Sequence, residues 1–330
     1  MAKCMTDTIN LTSVADAIRT KGGTSAQLIY PSGFVSAIQA IQTGITPKLV
    51  VTTTPGAAIT ATPAEGFKVV KGTAGADGMC TLELPKAGTW HVTAMANSVS
   101  NSQHIVIGTQ NMLLPLYHDT FANNTWEEII TVCRTGIAPD SWAVGDSKTM
   151  NIGGTAYQVD IIGKNHDEYA DGSGTAPLTF QLHDCYSEAK QMYSTNLSGL
   201  GWKNTDMRLT YLPAILALMP AEVQNGIRAV NKKTSEGGNS TTIEIVSDTL
   251  FLLSEVEIFG TASSSVAGEG SQYDYYKAGN PKIKKREGVD EFWWERSSAS
   301  GGMFCRVRAN GQAGASNASN SLGVSFAFCF

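Results

Sequence analysis

Large apolar side chains occupy alternate positions in the last seven residues of this sequence, VSFAFCF. Val324, Phe326, Phe328 and Phe330 fall on one face of a strand, because successive side chains on a strand point to opposite faces. Fully burying side chains of this size stabilises a fold by roughly 1.5–3 kcal/mol each. The sequence therefore predicts a terminal strand that is fixed in a hydrophobic core, with the smaller side chains on its other face.

A polar tract rich in Asn, Ser, Ala and Gly, RVRANGQAGASNASNSL, comes directly before this strand. Loops that are held by ordered elements often form binding surfaces. Ser, Gly and Asn give such a surface adaptable hydrogen bonds, and Arg supplies anchors. The residues alone favour a solvated loop between two strands, and a ligand-binding loop is the alternative.

Residues 1–46 show the spacing of two short amphipathic helices. The first has Thr12 and Ser13 as candidate caps, and the second has Ser32. Neither helix can bury its apolar face alone, so we expect docking on each other, on sister subunits or on a larger assembly. A loosely attached tail is the alternative. The two apolar stripes are Leu11, Val14 and Ile18, and Phe34, Ile38 and Ile41.

Over residues 47–108 the spacing of apolar residues changes from that of helices to that of β-strands. Short apolar runs there are separated by Pro and Gly turns. Within TWHVTAMA, two sets of side chains alternate, which is the pattern of a half-buried strand. One set is Trp90, Val92, Ala94 and Ala96, and the other is Thr89, His91, Thr93 and Met95. Six or seven such strands predict a small β-sandwich.

The remaining sequence mixes helical and strand patterns and predicts an α+β fold. Residues 109–140 form a connection with one helix, in which Trp126 and Cys133 mark the apolar face. Residues 141–330 form the largest domain. Its predicted helices are YSEAKQMYS and TDMRLTYLPAILALM, and its predicted strands include PLTFQLHDC, DTLFLLSEVEIFG, DEFWWERSS and GMFCRVRANG.

Composition excludes several classes of protein. The formal net charge of −5 gives no general attraction to nucleic acid or to an anionic membrane. No run of 18 apolar residues predicts a membrane helix, and the start MAKCMTDTINLTS lacks the pattern of a Sec signal peptide. The six Cys residues form no CxxC pair, which argues against a zinc or thioredoxin-type site. We expect small buried thiols rather than a disulfide.

Three segments carry groups that could perform chemistry. In NHDEYADGSG, His166, Asp167, Glu168 and Asp171 are oxygen and nitrogen donors without EF-hand spacing, so we expect a hydrogen-bonded loop, with calcium as the alternative. The run HDC at 183–185 does not predict catalysis, because neighbours on a strand point to opposite faces. We expect KIKKREG to form a solvated or ion-paired loop. We expect the tryptophans of FWWERS to lie in the hydrophobic core.

Several blocks in order resemble a phage-associated domain family with a C-type-lectin-like fold. They are WAVGDSKTMNIGG, YQVDIIGKNHDEYADGSGTAPLTFQLHDCY, VNKKTS, DTLFLLSEVEIFG, GEGSQYDYYKAGN, FWWERSS and GVSFAFCF. The family is similar, more distantly, to formylglycine-generating enzymes and to phage major tropism determinants. VADAIRTKGGTSAQLIYPSGFVSAIQAI resembles the start of phage tail and baseplate proteins, and residues 47–108 resemble Ig-like inserts of phage structural proteins.

The resemblance implies that residues 297–323 are a variable region rewritten by a diversity-generating retroelement, which shifts the balance toward the ligand-binding interpretation. Scaffold positions would be Phe304, Val307, Gly311, Ala313 and Ala318. Ligand-binding positions would be Ser298, Ser300, Met303, Arg306, Arg308, Gln312, Ser316, Asn317, Ser319, Asn320 and Leu322.

By this resemblance we expect a phage or prophage receptor-binding protein rather than an enzyme. Its partners would be a host surface protein or glycan and other tail proteins, and it would act as a homotrimer in the virion, without cofactor, nucleic acid or membrane insertion. A structural tail or baseplate protein is the alternative. An enzyme of the formylglycine-generating type is weaker, because Cys305 and Cys329 do not match the reactive cysteine motif of those enzymes.

Overall fold

A computed structural model describes residues 8–22, 47–64, 68–85, 87–107 and 110–330. The chain divides into two compact units, Met1–Leu114 and Pro115–Phe330. Within the described ranges, no helix has the length and hydropathy needed to cross a membrane. The predicted α+β class is confirmed, with strands more abundant than helices.

Helix α1 (Thr8–Gly22) begins earlier than the sequence pattern indicated. Thr12 and Ser13 therefore lie inside the helix and do not cap it, which corrects the predicted start. The buried face is also shifted by one position. Ala15 and Ile18 are buried, whereas Val14 is 48% exposed. The second predicted helix, from Ser32, lies outside the described residues.

Seven strands of the first unit form two sheets, as the regular apolar runs predicted. The strands are β1 (Lys48–Thr52), β2 (Ala58–Pro63), β3 (Val70–Thr73), β4 (Met79–Glu83), β5 (Gly88–Ala96), β6 (Val99–Ile107) and β7 (Gln110–Leu113). The sheets have the orders β4-β1-β7 and β3-β2-β5-β6. Trp90, Val92 and Ala94 are buried, as their alternation predicted. Strand β7 falls within the predicted connection and pairs in parallel with β1.

The second unit contains five α-helices and eleven strands among its described elements, besides two short 3-10 helices and one π-helical turn. The helices are α2 (Trp126–Cys133), α3 (Leu212–Leu216), α4 (Ala221–Gly226), α5 (Glu255–Phe259) and α6 (Asp274–Lys277). The strands are β8 (Ser147–Ile152), β9 (Thr155–Lys164), β10 (Leu178–Leu182), β11 (Val230–Ser235), β12 (Ile243–Asp248), β13 (Lys284–Arg286), β14 (Val289–Glu291), β15 (Trp293–Ala299), β16 (Met303–Val307), β17 (Ala313–Asn317) and β18 (Ala327–Cys329).

Terminal strand β18 lies in the main sheet of this unit, whose order is β18-β10-β9-β8. Phe328 stacks on Phe180 of β10 at 5.4 Å between ring centroids, and Phe330 contacts Trp126 of α2 at 6.0 Å. The prediction of a buried terminal strand is confirmed. Its second face is buried as well, since Ser325, Ala327 and Cys329 are fully buried, and Phe251 pairs with Ala327 on the edge opposite β10.

Three secondary-structure predictions differ from the structure. YSEAKQMYS forms no helix. DTLFLLSEVEIFG contains helix α5 instead of a long strand, because Ser254 and Glu257 form a capping box and Gly260 ends the helix with a φ of 78°. TDMRLTYLPAILALM is helical as predicted, but begins with a π-helical turn (Met207–Tyr211) before α3.

Replacing Phe328 with alanine tests the role of the terminal strand. The ring is fully buried against Phe180 and Phe330, so its removal leaves a cavity. We expect Phe328→Ala to lower the free energy of unfolding by about 3–5 kcal/mol in urea denaturation. The control Ile137→Ala removes a side chain that is 73% exposed and should change this energy by less than about 0.5 kcal/mol. Equal losses in the two variants would contradict the assignment.

Candidate ligand-binding surface

Strands β15, β16 and β17 form a separate three-stranded antiparallel sheet, called here the display sheet. The predicted polar loop is therefore partly a strand, because β17 pairs with β16 along its whole length. Gly301 and Gly302 turn the chain between β15 and β16 with φ values of 67° and 77°. A side chain at Gly302 would lie 2.5 Å from the carbonyl oxygen of Asn196, so this turn requires glycine.

The eleven predicted ligand-binding positions separate into three groups by exposure. Exposed positions are Ser300, Arg308, Gln312, Asn317 and Asn320, and partly exposed ones are Met303, Arg306, Ser319 and Leu322. Ser298 and Ser316 are buried, with 1% and 8% of their surface exposed, so the structure does not place them at the surface. Nine of the eleven positions are thus accessible to a ligand.

Ser298 is buried because β15 is covered on both faces: every residue from Trp293 to Ala299 is buried. The pairing register with β16 also shifts between Trp294 and Ser298. The Ser298 hydroxyl has no hydrogen-bond partner among the described residues. The scaffold residues Phe304, Val307 and Ala318 are fully buried, whereas Gly311 and Ala313 are partly exposed.

A neighbouring loop that the sequence did not single out completes the surface. Asn196 accepts a hydrogen bond of 2.6 Å from the Ser319 hydroxyl, and Ser198 donates one of 2.8 Å to the carbonyl oxygen of Ala299. Leu197 and Leu200 of this loop are exposed. No periodicity marks the loop in the sequence, because its contacts reach residues more than 100 positions away.

A buried ion network lies under the display sheet. The guanidinium of Arg296 on β15 is fully buried and donates to the carboxylate of Glu257 on α5, with one bond of 2.8 Å. Lys232 of β11 lies 2.8 Å from the same carboxylate and 2.6 Å from that of Asp167. These cations oppose the effect of burial and hold the pKa values of Asp167 and Glu257 below their ordinary values.

A cavity of about 300 Å³ opens beside this network and is the second candidate site. His166, Asp167 and Glu257 lie close enough there to suggest a metal site. However, the Lys232 ammonium bonds both carboxylates, so it supplies the positive charge that a cation would bring. His166 stacks on Tyr273 at 3.8 Å, and burial lowers its pKa.

The other members of the NHDEYADGSG loop do not join this cluster. Asp171 pairs with Arg228 at 2.6 Å, and Glu168 is exposed. The loop is therefore hydrogen-bonded, as the first interpretation of its residues predicted, and its four donor side chains do not converge on one point.

The thiols of Cys305 and Cys329 and the imidazole of His183 likewise have different bonding partners. Cys305 and Cys329 are free and buried, and burial raises the pKa of both thiols, which disfavours the reactive thiolate. His183 bonds Asp160 at 2.7 Å, and Asp184 accepts from the backbone of Lys285. No shared reaction centre forms among these groups.

The last two predicted segments lie at the edge of the display sheet. Trp293 and Trp294 are both fully buried, which confirms their assignment to the core. KIKKREG forms part of a hairpin in which Arg286 pairs with Glu291 at 2.9 Å. Lys284 of this hairpin is buried and donates to the carbonyl oxygens of residues 182 and 183, and burial lowers its pKa to about 8.

Comparison with known proteins gives one match. A family model described as a domain of unknown function (DUF6273) matches residues 179–330. No curated protein and no solved structure matches the chain. The matched range begins in β10 and includes the display sheet, the terminal strand and the network residues Lys232, Glu257 and Arg296, but not Asp167.

Replacing Arg296 with methionine tests the buried network. The variant leaves the Glu257 carboxylate in the protein interior with Lys232 as its remaining cation. We expect a loss of about 3–5 kcal/mol in the free energy of unfolding, measured by urea denaturation. The control Lys203→Met breaks the exposed pair with Glu244 and should cost no more than about 1 kcal/mol. A cost for Arg296→Met as small as that of the control would exclude the proposed structural role.

Replacing Glu295 with glutamine tests a buried carboxyl group on β15. Both carboxyl oxygens lack a hydrogen-bond partner among the described residues, and burial together with Glu255 and Glu269 raises the pKa far above 4.5. The folded protein thus binds this proton more tightly than the unfolded chain does. The stability that this gives is present below pH 4.5 and is lost as the pH rises toward the folded-state pKa.

We therefore expect Glu295→Gln to gain stability relative to the natural protein as the pH rises above 4.5, by roughly 1 kcal/mol per pH unit. Urea denaturation at several pH values between about 4 and 8 measures this difference. The control Glu127→Gln makes the same substitution at an exposed position outside the buried cluster. A flat difference for Glu295→Gln would show that this carboxyl group ionises in the folded protein as it does in water.

Proposed function

We propose that Pro115–Phe330 is the ligand-recognition domain of a phage or prophage tail receptor-binding protein. In this proposal the display sheet contacts a protein or glycan on the surface of the host bacterium. The observation that best supports this proposal concerns the nine accessible positions that were predicted to bind a ligand. They lie on or beside a sheet whose inner side chains are fully buried. Such a sheet tolerates changes at its surface because its stability comes from the residues beneath.

The fold supports a finer assignment, which is part of the proposal. We assign a C-type-lectin-like fold to the second unit, because the quoted sequence blocks fall on its sheets and the terminal strand pairs with β10 in the main sheet. We assign an Ig-like fold to residues 47–113, because seven strands form sheets of three and four. A trimer in the virion would present several display sheets at once and increase avidity.

Diversification of residues 297–323 is a separate part of the proposal. The buried positions Phe304, Val307 and Ala318 alternate with accessible ones, which suits a rewritten surface on a constant scaffold. The proposed set is reduced to the nine accessible positions. A search of the genome around this gene tests the diversification. We expect a reverse transcriptase gene and a second, nearly identical copy of the codons for residues 297–323 that differs from them at adenines. If both are absent, diversification is removed from the proposal.

The last part of the proposal is that the protein recognises its ligand by non-covalent contacts alone. Cys305 and Cys329, which do not match the reactive cysteine motif of formylglycine-generating enzymes, are buried and have raised pKa values. Binding by a polar surface requires no such group, and the accessible serine, asparagine and glutamine side chains supply hydrogen bonds.

Tyrosine substitutions test the display surface. Fluorescently labelled protein is mixed with a panel of bacterial strains, including the strain that carries this sequence, and binding is measured by flow cytometry. We expect the natural chain to bind at least one strain. Asn317→Tyr with Asn320→Tyr should reduce that binding about tenfold or more by steric exclusion, while thermal stability changes little because both side chains are exposed.

The matched control is Asn225→Tyr, which places the same bulky side chain on an exposed position next to the end of α4. This variant should bind as the natural chain does. Failure of the natural chain to bind any strain, or equal binding by the display and control variants, would refute the proposed function.

A further inference from the structure

Two arginines on β16 and its following turn carry charges that the rest of the structure does not neutralise. Arg306 lies on the strand, and Arg308 follows two positions later, so both side chains emerge on the same face. Neither guanidinium forms an ion pair with a carboxylate of the described residues. The nearby carboxylate of Glu291 is already bonded by Arg286 and by the backbone of Phe292.

The inner nitrogen of each guanidinium is fixed by the neighbouring strand. Arg306 Nε donates to the carbonyl oxygen of Ala315 at 3.2 Å, and Arg308 Nε donates to that of Ala313 at 3.1 Å. No hydrogen bond from the terminal Nη atoms of either residue occurs within the described part of the chain. Each arginine therefore keeps a two-nitrogen fork that is oriented and available, the geometry that recognises oxyanions in a bidentate manner.

Packing holds the two side chains in place. The Arg306 guanidinium lies 4.1 Å from the centroid of the Phe292 ring. The Arg308 side chain crosses Gly314, where even one added carbon atom would lie 2.8 Å from its Nε. Burial, together with the charge of Arg308, lowers the pKa of Arg306, which agrees with two cations held side by side. A ligand would thus meet a preorganised cationic pair and would pay little ordering entropy.

We propose that Arg306 and Arg308 form an anion-recognition site and that the occupant is an acidic polysaccharide bearing carboxylate or sulfate groups. This inference rests on the proposed function and deepens it by naming the class of ligand. A polysaccharide fits better than an acidic peptide because exposed amides of Asn310 and Gln312 flank the arginines. Asn310 donates to Gln312 at 3.1 Å, and the Nε2 group of Gln312 is left to bond hydroxyl groups. The half-buried Phe292 ring adds an apolar face beside them.

Binding to defined polymers tests the site. The full chain is titrated by biolayer interferometry with polygalacturonate, dextran sulfate, neutral dextran and poly-L-glutamate, at low ionic strength and at about 0.15 M salt. We expect saturable binding to at least one acidic polysaccharide and none to neutral dextran. Arg306→Gln with Arg308→Gln should weaken that binding roughly tenfold or more, because two charge-assisted contacts are lost.

Two further double variants distinguish the bidentate geometry of the guanidinium groups from the effect of positive charge alone. Arg306→Lys with Arg308→Lys keeps both charges but loses the bidentate geometry, and should weaken binding by an intermediate factor. Arg134→Gln with Lys277→Gln removes two exposed charges elsewhere in the same unit and should bind as the natural chain does. Stronger binding to polygalacturonate than to dextran sulfate would identify carboxylate as the preferred group, and the reverse order would identify sulfate.

Three results would overturn the inference: no binding to either acidic polysaccharide, equal losses in the glutamine and control variants, or binding to poly-L-glutamate alone. The last would indicate an acidic protein ligand instead. Polymer binding by a chain that binds no bacterium would remove the proposed function and leave the anion site. Binding to bacteria that is unaffected by the glutamine variants would remove the anion site and leave the proposed function.

Discussion

The buried guanidinium of Arg296 joins the display sheet to the rest of the second unit. Besides the Glu257 carboxylate, it donates to backbone carbonyl oxygens of Leu252, Lys233 and Glu269, so one side chain connects three separate segments to β15. Burying an ion is costly unless its partners compensate for the lost water. Here the partners come from three different parts of the chain, so the compensation exists only when all of these segments are correctly placed.

A second anchor acts on the segment that follows the display sheet. Strand β18 is fully buried between β10 and the segment that contains Phe251, and the backbone of Phe330 accepts a 2.5 Å hydrogen bond from the Tyr169 hydroxyl. The segment proposed to be variable is therefore fixed at both ends, by ionic bonds at β15 and by aromatic packing at β18. Neither anchor involves a proposed ligand-binding side chain, which allows surface residues to change with little effect on stability.

The periodicity of apolar residues predicted many of the individual strands and helices. The features that were not predicted depend on contacts between residues far apart in the sequence. Alternation identified the strands of the first unit, because burial of one face leaves a period of two. The terminal strand is buried on both faces, and there large side chains alternate with small ones. The capping box of Ser254 and Glu257 was present in the sequence, yet the apolar run before it favoured a strand. Ser298 was misplaced because β15 is buried on both faces, so its side chains do not alternate between core and solvent. The network could not be predicted, because Arg296 and Glu257 are 39 residues apart and Lys232 and Asp167 are 65 apart.

The state of the charged groups distinguishes the two candidate sites. In the cavity beside His166, Lys232 is bonded to Asp167, Glu257 and the Tyr273 hydroxyl, so a charged ligand would have to compete with contacts that are already made. On the display sheet, Arg306 and Arg308 use only their Nε atoms for bonds within the described chain, and Arg306 is partly exposed and Arg308 exposed. A ligand there gains new bonds without breaking old ones. Since binding is favoured where polar groups are oriented but unpaired, the display sheet is the stronger candidate for recognition.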